Sequence, residues 1–326
     1  MRKSFSTSFW KRPDCLKRIL LLALLATAVL SADPQDRTLS TDAPVNNVFF
    51  LPGGKELAAS WDQHLRTWDA ASGKLIGDRT LDPKVFPVDA KLAVEIKDKG
   101  FQLWDLSADR HSKMINGTFE SLAISVDRKQ MAVGSEGERS VRLLNPQTGE
   151  QLRVLPDGLG GAASLAFSPD GATLVSANFD NDVRIWKTQS GELVRKIEDL
   201  TGAMFASAFT PNGAELVMGG LDETVYILDA KTYALKRTLK GHGETIAALA
   251  ISPDGRTLVT GGFDVVTVAN PVKLVFWDLA SGSVTRTAHS PHAVSALRFS
   301  PDGKWLAMTT EGGKEIALFS LDATAR

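Results

Sequence analysis

One pentapeptide recurs along the chain and constrains its fold more than any other feature. "FSPDG" occupies residues 167–171 and again 299–303, and the variants "FTPNG" and "ISPDG" occupy residues 209–213 and 251–255. In a type I turn, proline presets the backbone at the second position, and glycine closes the turn without a Cβ clash. Apolar residues alternate with period two on both sides. The pentapeptide therefore predicts a tight turn between two β-strands.

The same pattern predicts seven repeats. Aligning the residue that opens each turn with the Leu or Met seven positions later gives seven units, whose openers are Phe50, Val85, Ile124, Phe167, Phe209, Ile251 and Phe299. Successive openers are 35, 39, 43, 42, 42 and 48 residues apart, which is typical of four-stranded propeller blades. Helical solenoids of similar period are excluded, because the units alternate with period two and carry Gly and Pro at their joints.

Short motifs recur at fixed places in these units. The third strand ends on Trp-Asp at 68–69, 104–105 and 277–278, and a Gly-His pair lies at 241–242. In five units an acid lies six residues before the terminal aromatic or leucine; these acids are Asp62, Asp98, Glu138, Asp180 and Asp222. On these residues the chain resembles the WD-repeat (WD40) propeller family over residues 36–320. The resemblance implies an all-β fold, a seven-bladed β-propeller of four-stranded antiparallel blades.

The resemblance also implies a structural hydrogen-bond tetrad in each blade. It is complete in unit six alone, as His242, Thr260, Asp264 and Trp277. The other units lack at least one member, so we expect their blades to be held mainly by apolar packing. We expect the repeated acids to be structural rather than catalytic.

The last unit lacks a fourth strand of its own, because only "LDATAR" follows its third strand. At the other end of the chain, "DRTLS" at 36–40 matches the fourth-strand segments "DRTLD" at 78–82 and "KRTLK" at 236–240. A blade without its outer strand would expose a sheet edge. We therefore expect residues 36–40 to pair with residues 316–320 and to close the ring.

Residues 1–32 differ from the rest of the chain. Basic residues precede an uncharged run of 14 residues, Ile19–Ala32, that ends on small residues. At about 1.5 Å per residue this run is shorter than the ~30 Å hydrocarbon core of a membrane, although an uncleaved anchor is the alternative. The layout predicts a cleaved signal peptide at 1–32, a propeller at 33–326, and no permanent membrane span after cleavage. The protein is then exported, to the periplasm or the extracellular space if its source is bacterial.

Cleavage would change the charge of the chain. Six of the 37 basic residues and one of the 38 acidic residues lie in residues 1–32, which leaves 31 basic against 37 acidic residues and a net charge of −6. Nucleic acid is a poor partner for such a surface. Cys15, the single cysteine, is removed as well, which excludes a disulfide, a thiolate nucleophile and a CxxCH haem attachment in the mature chain. We expect no cofactor.

Apolar residues at one rim are the candidate binding site. The residue before the recurring place of the acid is large and apolar in four units, as Trp61, Phe179, Leu221 and Phe263, and an insertion at 265–271 adds Val265, Val266 and Val268. We expect these side chains to form an exposed patch for a protein partner. The alternatives are that they pack on a neighbouring turn, or that the insertion only lengthens a hairpin. Trp305, whose counterparts are all polar, is expected on a wet face.

Three functions remain open from the sequence. The first is a non-enzymatic protein-interaction scaffold. The second is a propeller enzyme of lactonase-like or oxidoreductase-like type, and the third is a passive subunit of an envelope redox assembly. The close pair His289 and His292 has no third ligand nearby in the sequence, so it does not predict a metal site. We favour the scaffold.

Overall fold

The computed structural model describes residues 36–321, except 46, 62–63, 82–84, 98, 118, 120, 136–138, 157–160 and 264–270. The described residues form 29 strands, numbered in chain order, in seven antiparallel sheets. The expected signal peptide and Val265, Val266 and Val268 lie outside the described residues.

Each sheet is one blade, and in blades one to six the strands follow one another in the chain from the inside of the ring outward. Blade one contains β2 (Asn47–Phe50), β3 (Glu56–Trp61), β4 (His64–Asp69) and β5 (Leu75–Thr80). Blade two contains β6 (Val85–Pro87), β7 (Leu92–Lys97), β8 (Gly100–Asp105), β9 (Arg110–His111) and β10 (Ile115–Asn116). Blade three contains β11 (Ser121–Ile124), β12 (Met131–Ser135), β13 (Ser140–Leu144) and β14 (Gln151–Pro156).

The second half of the ring is more regular. Blade four contains β15 (Ala162–Phe167), β16 (Thr173–Asn178), β17 (Val183–Lys187) and β18 (Leu193–Ile197). Blade five contains β19 (Met204–Phe209), β20 (Glu215–Gly220), β21 (Val225–Asp229) and β22 (Leu235–Leu239). Blade six contains β23 (Thr245–Ile251), β24 (Thr257–Phe263), β25 (Val272–Asp278) and β26 (Val284–Ser290). Blade seven contains β27 (Val294–Phe299), β28 (Trp305–Thr310), β29 (Glu315–Ser320) and β1 (Arg37–Ser40).

The repeated pentapeptide forms the turn between the first two strands of a blade. In blade four the amide of Gly171 donates to the Ser168 carbonyl at 2.8 Å, and the Ser168 hydroxyl donates to the Asp170 carboxylate at 2.6 Å. That hydroxyl is the main reason that the pKa of Asp170 is below its usual value. Gly171 has φ of +70°, a conformation that favours glycine. The same bonds recur in blades six and seven, so the repeated letters encode one repeated turn.

The N-terminal strand closes the ring as expected. β1 pairs with β29 in antiparallel register, with Arg37 opposite Leu318 and Leu39 opposite Ile316. Leu39 is buried in a cluster that joins blade seven to blade one. The outer strand of blade seven therefore comes from the opposite end of the chain.

Buried apolar side chains fill the spaces between neighbouring blades. One cluster combines Val175 and Ile185 of blade four with Leu216 and Met218 of blade five. Such packing needs apolar residues on both faces of a blade, which is why the middle strands are buried almost throughout.

Blade two departs from the expected pattern in two ways. Its outer strand is divided into β9 and β10, which both pair with β8. In addition, Trp104 pairs with Ala93, whereas Trp68 of blade one pairs with Leu57 at the equivalent leucine. A shift of one residue moves a side chain to the other face of a sheet. The Trp104 indole is therefore only half-buried and stacks on the His111 ring, with centroids 5.0 Å apart.

The expectation that Trp305 stands on a wet face is wrong. Its side chain is 9% exposed and packs in the cluster between blades seven and one. The guanidinium of Arg37 lies over its ring, 6.0 Å from the centroid. Trp305 is covered because β1 and blade one meet at this point.

Candidate interaction surface

Three phenylalanines from consecutive blades form a row on one rim of the ring. The rings of Phe179 and Phe205 have centroids 6.0 Å apart, and those of Phe205 and Phe263 are 6.1 Å apart. Phe179 is 46% exposed, and the other two are half-buried. Because tilted ring pairs at this spacing are in favourable contact, these three residues, the aromatic row, form one continuous surface across blades four, five and six.

Phe205 was not identified from the sequence, and a β-bulge explains why. The register of β19 against β20 shifts between Met204 and Ala206, so Phe205 faces no partner residue and its side chain is re-aimed. Blades four, six and seven have the same register shift around Ala163, Ala247 and Ser295. Blade five is therefore the one of these four blades with a large side chain at the bulge. Aligning this position across the repeats would have drawn attention to Phe205.

Backbone bonds hold the loops that carry the row. The amide of Leu221 donates to the Ala203 carbonyl at 2.9 Å, which fixes the loop between β20 and β21 against the start of β19. The amide of Phe179 approaches the Gly161 carbonyl at 3.4 Å in blade four. Leu221 is 44% exposed and lies over Gly202, where an added Cβ would be 3.3 Å from the Leu221 Cβ. Phe179, Leu221 and Phe263 all lie at or next to the end of the second strand of their blades.

Ion pairs order the rim of blade four. The carboxylate of Asp182 accepts from Asn178 at 2.6 Å and pairs with Arg184 at 2.5 Å and Lys196 at 3.3 Å. Asp180 lies 3.5 Å from the same arginine. Burial, together with the neighbouring Asp182 carboxylate, raises the pKa of Asp180 above its usual value. Asp180 and Asp182 thus share the Arg184 guanidinium, which suits a structural role for Asp180.

Asp222 of blade five is held by its own loop. The Tyr226 hydroxyl donates to its carboxylate at 2.5 Å, and the Thr224 amide approaches the other oxygen at 3.3 Å. Tyr226 is buried, and this burial raises the pKa of its phenol. The next residue, Glu223, is exposed and has φ of +64°, a backbone conformation that few non-glycine residues adopt.

The rim of blades four and five, beside Phe179 and Phe205, is acidic. Residues 179–184, 196–202 and 221–226 contain six acids and two bases, a local net charge of −4. The acids are Asp180, Asp182, Glu198, Asp199, Asp222 and Glu223, and the bases are Arg184 and Lys196. Both bases are engaged by Asp182. The surface thus combines aromatic rings with surplus negative charge.

Two hydrogen bonds connect the three tetrad residues of blade six that the structure describes. The Trp277 indole donates to the Thr260 hydroxyl at 2.9 Å, and His242 Nε2 approaches the Thr260 carbonyl at 3.4 Å. All three side chains are buried. Burial lowers the pKa of His242 to about 4, so its ring is neutral at pH 7. Asp264 lies outside the described residues, as do the predicted turn acids Asp62, Asp98 and Glu138.

The expectation that Trp61 is exposed is wrong. Its side chain is 1% exposed and stacks on Trp68, with centroids 6.1 Å apart. The guanidinium of Arg66 lies over the ring, 5.0 Å from its centroid. Blades one and seven therefore enclose Trp61, which belongs to the same buried cluster as Trp305.

Within the described ranges, no group of three or more His, Cys, Asp or Glu side chains is arranged to hold a metal ion. Nor does this part of the chain contain a helix long and apolar enough to cross a membrane.

Comparison with known families agrees with the observed architecture. The family model described as WD domain, G-beta repeat matches residues 35–69, 149–187, 233–264 and 282–318. The first match runs from the region of β1 to the end of β4, and the last runs from β26 into β29, so each begins with the outer strand of the preceding blade. A search of curated proteins found no matching relative. The chain therefore belongs to the WD40-repeat proteins, and it folds as a seven-bladed β-propeller.

Proposed function

We propose that this protein is a non-enzymatic scaffold that binds a protein partner through the rim bearing the aromatic row. WD40 propellers commonly mediate protein interactions, and the row is the single observation that supports this site. Phe179, Phe205 and Phe263 leave ring surface exposed across three blades while their rings remain in contact with one another. Aromatic side chains of this kind are the usual anchors of protein interfaces.

The negative charge of the rim indicates the charge of the partner segment. The local net charge of −4 favours a segment that carries Lys or Arg beside its apolar anchor. Exposed Glu223 adds a negative charge at a loop tip; its positive φ recurs at Arg139 and Asn181, the equivalent positions of blades three and four, and therefore belongs to the repeated turn. The partner segment is therefore apolar and basic. Leu221 extends the surface, and the insertion with Val265, Val266 and Val268 follows Phe263 in the chain.

A peptide selection tests this function. Peptides enriched from a random display library on the wild-type propeller are titrated against wild type, Phe205→Ser and Leu235→Ser. Leu235 is 56% exposed on β22 of the same blade and is the matched control. Loss of an anchor costs typically about 2 kcal/mol, so Phe205→Ser should weaken binding about thirtyfold and Leu235→Ser should not. Equal binding to Phe205→Ser and wild type contradicts the proposal, as does enrichment of acidic peptides.

We also propose that the protein is exported and that residues 1–32 are removed. The basic segment followed by the short apolar run Ile19–Ala32 supports this proposal. N-terminal sequencing of protein recovered from its native source should begin at Ala32 or Asp33. Recovery of a chain that begins at Met1 in the membrane fraction would instead indicate an anchor.

A further inference from the structure

The interface between blades one and two differs from the other six interfaces of the ring. Each of those six contains a cluster of buried apolar side chains to which both blades contribute. Among the described residues no such cluster joins blades one and two, at an interface that we term the open seam. Burial of apolar area is the main attraction between packed blades, so an interface without such a cluster is held less firmly than the others.

The register shift in blade two changes the residues that face the open seam. Leu92 and Val94 of β7 and Leu103 of β8 pack in the cluster towards blade three. Because side chains alternate along a strand, Glu95 and Trp104 lie on the opposite face, which is turned to blade one. Blade two therefore presents a charged side chain and a half-buried indole to blade one, rather than a continuous apolar face.

The third strands on both sides of the open seam are partly exposed. The third strands of blades three, four and five are buried almost throughout. In contrast, Leu65 and Thr67 on β4 and Gln102 and Trp104 on β8 are half-buried. Leu65 and Thr67 face blade two, because Trp68, on the other face of β4, packs in the cluster towards blade seven. Water therefore reaches the outer half of the open seam from both sides.

The outer strand of blade one lacks an apolar residue that all the other outer strands have. This residue pairs with the third strand, three positions before its terminal aromatic or leucine, and it is buried. In the six other blades it is Leu39, Ile115, Leu155, Ile197, Leu239 or Ala288. Gly282 of blade six shows the contact, because a Cβ added there would be 2.6 Å from Cδ2 of Leu239.

Charged residues occupy both sides of this contact at the open seam. In blade one the corresponding outer-strand residue is Arg79, which pairs with Leu65 and is exposed. The turn of blade two has exposed Asp109, with φ of +48°, where blades one, three, four and six have glycine. The close contact between an apolar side chain and a glycine is therefore missing from the open seam.

The inner end of the open seam is closed by hydrogen bonds. The side-chain amide of Asn47 on β2 donates to the Pro87 carbonyl at 2.8 Å and approaches the Val88 carbonyl at 3.2 Å. Ala58 and Ser60, which face blade two from β3, are buried. The two blades therefore meet at their inner strands and are separated by water at their outer strands.

We propose that the ring opens reversibly between blades one and two while its other six interfaces stay closed. The half-buried side chains of the open seam already contact water, so opening there exposes little additional apolar area. Opening at any other interface would expose a whole apolar cluster. Such a local opening has a lower free energy than global unfolding. Blade one moves with blade seven, because Leu39, Trp61 and Trp305 pack together between them.

The opening is independent of the proposed partner surface. Blade five, which carries Phe205, is separated from the open seam by three blades in either direction around the ring. A failure of the proposed scaffold function therefore leaves this proposal intact, and the reverse holds as well.

Thiol labelling of the folded protein tests the proposal. Ala58→Cys and Ala59→Cys are made separately in a Cys15→Ser background, which has no other cysteine. Ala58 faces blade two, whereas Ala59, its neighbour on β3, is buried in the cluster towards blade seven. The thiol at position 58 should react with a maleimide at least about tenfold faster than the thiol at position 59, because opening at the seam exposes position 58 alone.

Two controls accompany the labelling. Each rate is divided by the rate for the same variant unfolded in urea, which removes differences in intrinsic thiol reactivity. Ser60→Cys is nearly isosteric and also faces blade two, so it replaces Ala58→Cys if that variant does not fold.

Rebuilding the missing contact tests its cause. Arg79→Leu combined with Asp109→Gly gives the open seam the apolar residue and the glycine that other interfaces have. This pair of substitutions should slow labelling at position 58 about tenfold, leave labelling at position 59 unchanged, and raise the melting temperature by about 2–4 °C. The matched control is Arg195→Leu, at an exposed position on the outer strand of blade four, which should not slow labelling at position 58.

Two results would overturn the proposal. One is a thiol at position 58 that reacts no faster than the thiol at position 59, since both are then reached through the same global unfolding. The other is an unchanged rate at position 58 after Arg79→Leu and Asp109→Gly, since the missing contact then does not control the opening.

Discussion

Arg286 and Asp36 lie 250 positions apart in the chain, and the guanidinium of Arg286 donates to the Asp36 carboxylate at 2.5 Å. The other carboxylate oxygen accepts from the Ser320 amide at 3.0 Å. Arg286 also lies over the rings of Phe276 and Phe319, 5.2 and 5.4 Å from their centroids. One side chain at the start of β1 thus connects blade six, blade seven and the N-terminal strand.

The first prediction concerns this ion pair. Replacing Asp36 by Asn should lower the free energy of unfolding by about 1–3 kcal/mol, because the Asp36 side chain is 9% exposed and Arg286 would lose its charged partner. Urea denaturation measures the change. The control is Glu192→Gln, which breaks an exposed pair with Lys187 and should alter stability by less than about 0.5 kcal/mol. If the two substitutions lower the free energy of unfolding equally, the Asp36 contact does not stabilise the closed ring.

The second prediction concerns β1 as a whole. A protein that lacks residues 33–41 should melt about 10 °C lower, because it loses buried Leu39 and the whole ladder between β1 and β29. The missing strand can be supplied separately. A synthetic peptide of residues 33–41 should raise the melting temperature in proportion to its occupancy, whereas a scrambled peptide should not. An unchanged melting temperature after the deletion would mean that another segment closes the ring.

The ring and its closure were predictable because each depends on a short sequence segment that recurs from unit to unit. The turn pentapeptide sets where two strands join, and "DRTLS" at 36–40 shares its letters with the outer strand of blade one. Such features depend on neighbours in sequence, which a single chain displays fully. The partner strand of β1 followed from counting strands per blade, and its observed register agrees.

The side-chain environment at the rim was less predictable because it depends on small displacements between blades. Trp61 and Phe179 occupy equivalent places, yet Trp61 is 1% exposed and Phe179 is 46% exposed. Arg66 and the stacked Trp68 cover Trp61. The ring contact of Phe179 is with Phe205, on one side. The bulge that presents Phe205 leaves the alternation of β19 readable in two ways. Neither effect is visible in one unit taken alone.

The third prediction uses the buried histidine of blade six. The pKa of His242 is about 4 in the folded protein, against 6.5 in an unfolded chain, so the unfolded state binds the proton first as the pH falls. The contribution of His242 to the free energy of unfolding is therefore fully present above pH 6.5. It declines as the pH falls towards 4, by up to about 3 kcal/mol. Lys273, whose ammonium donates to the His242 carbonyl at 3.3 Å, acts in the same direction as burial. Hydrogen bonds of the ring with the backbone of Thr260 and of Glu244 oppose both effects.

Urea denaturation at pH 7, 5.5 and 4 measures this dependence. His242→Gln should be less stable than wild type at pH 7 but should lose less stability between pH 6.5 and 4. The control His292→Gln, at an exposed position, should keep the wild-type slope. If His242→Gln and wild type decline in parallel over this range, the protonation of His242 does not cause the loss.

The last prediction tests the tetrad bond between Thr260 and Trp277. The indole N–H of Trp277 donates to the Thr260 hydroxyl at 2.9 Å, and both side chains are buried. Replacing Thr260 by Val preserves the shape of the side chain but leaves the N–H without its acceptor, which should cost about 1–3 kcal/mol. Thr260→Ser keeps the hydroxyl and loses only a methyl group, so it should be the more stable of the two variants. If instead Thr260→Val is as stable as wild type while Thr260→Ser is destabilised, the methyl packing of Thr260 matters in blade six and the hydrogen bond does not.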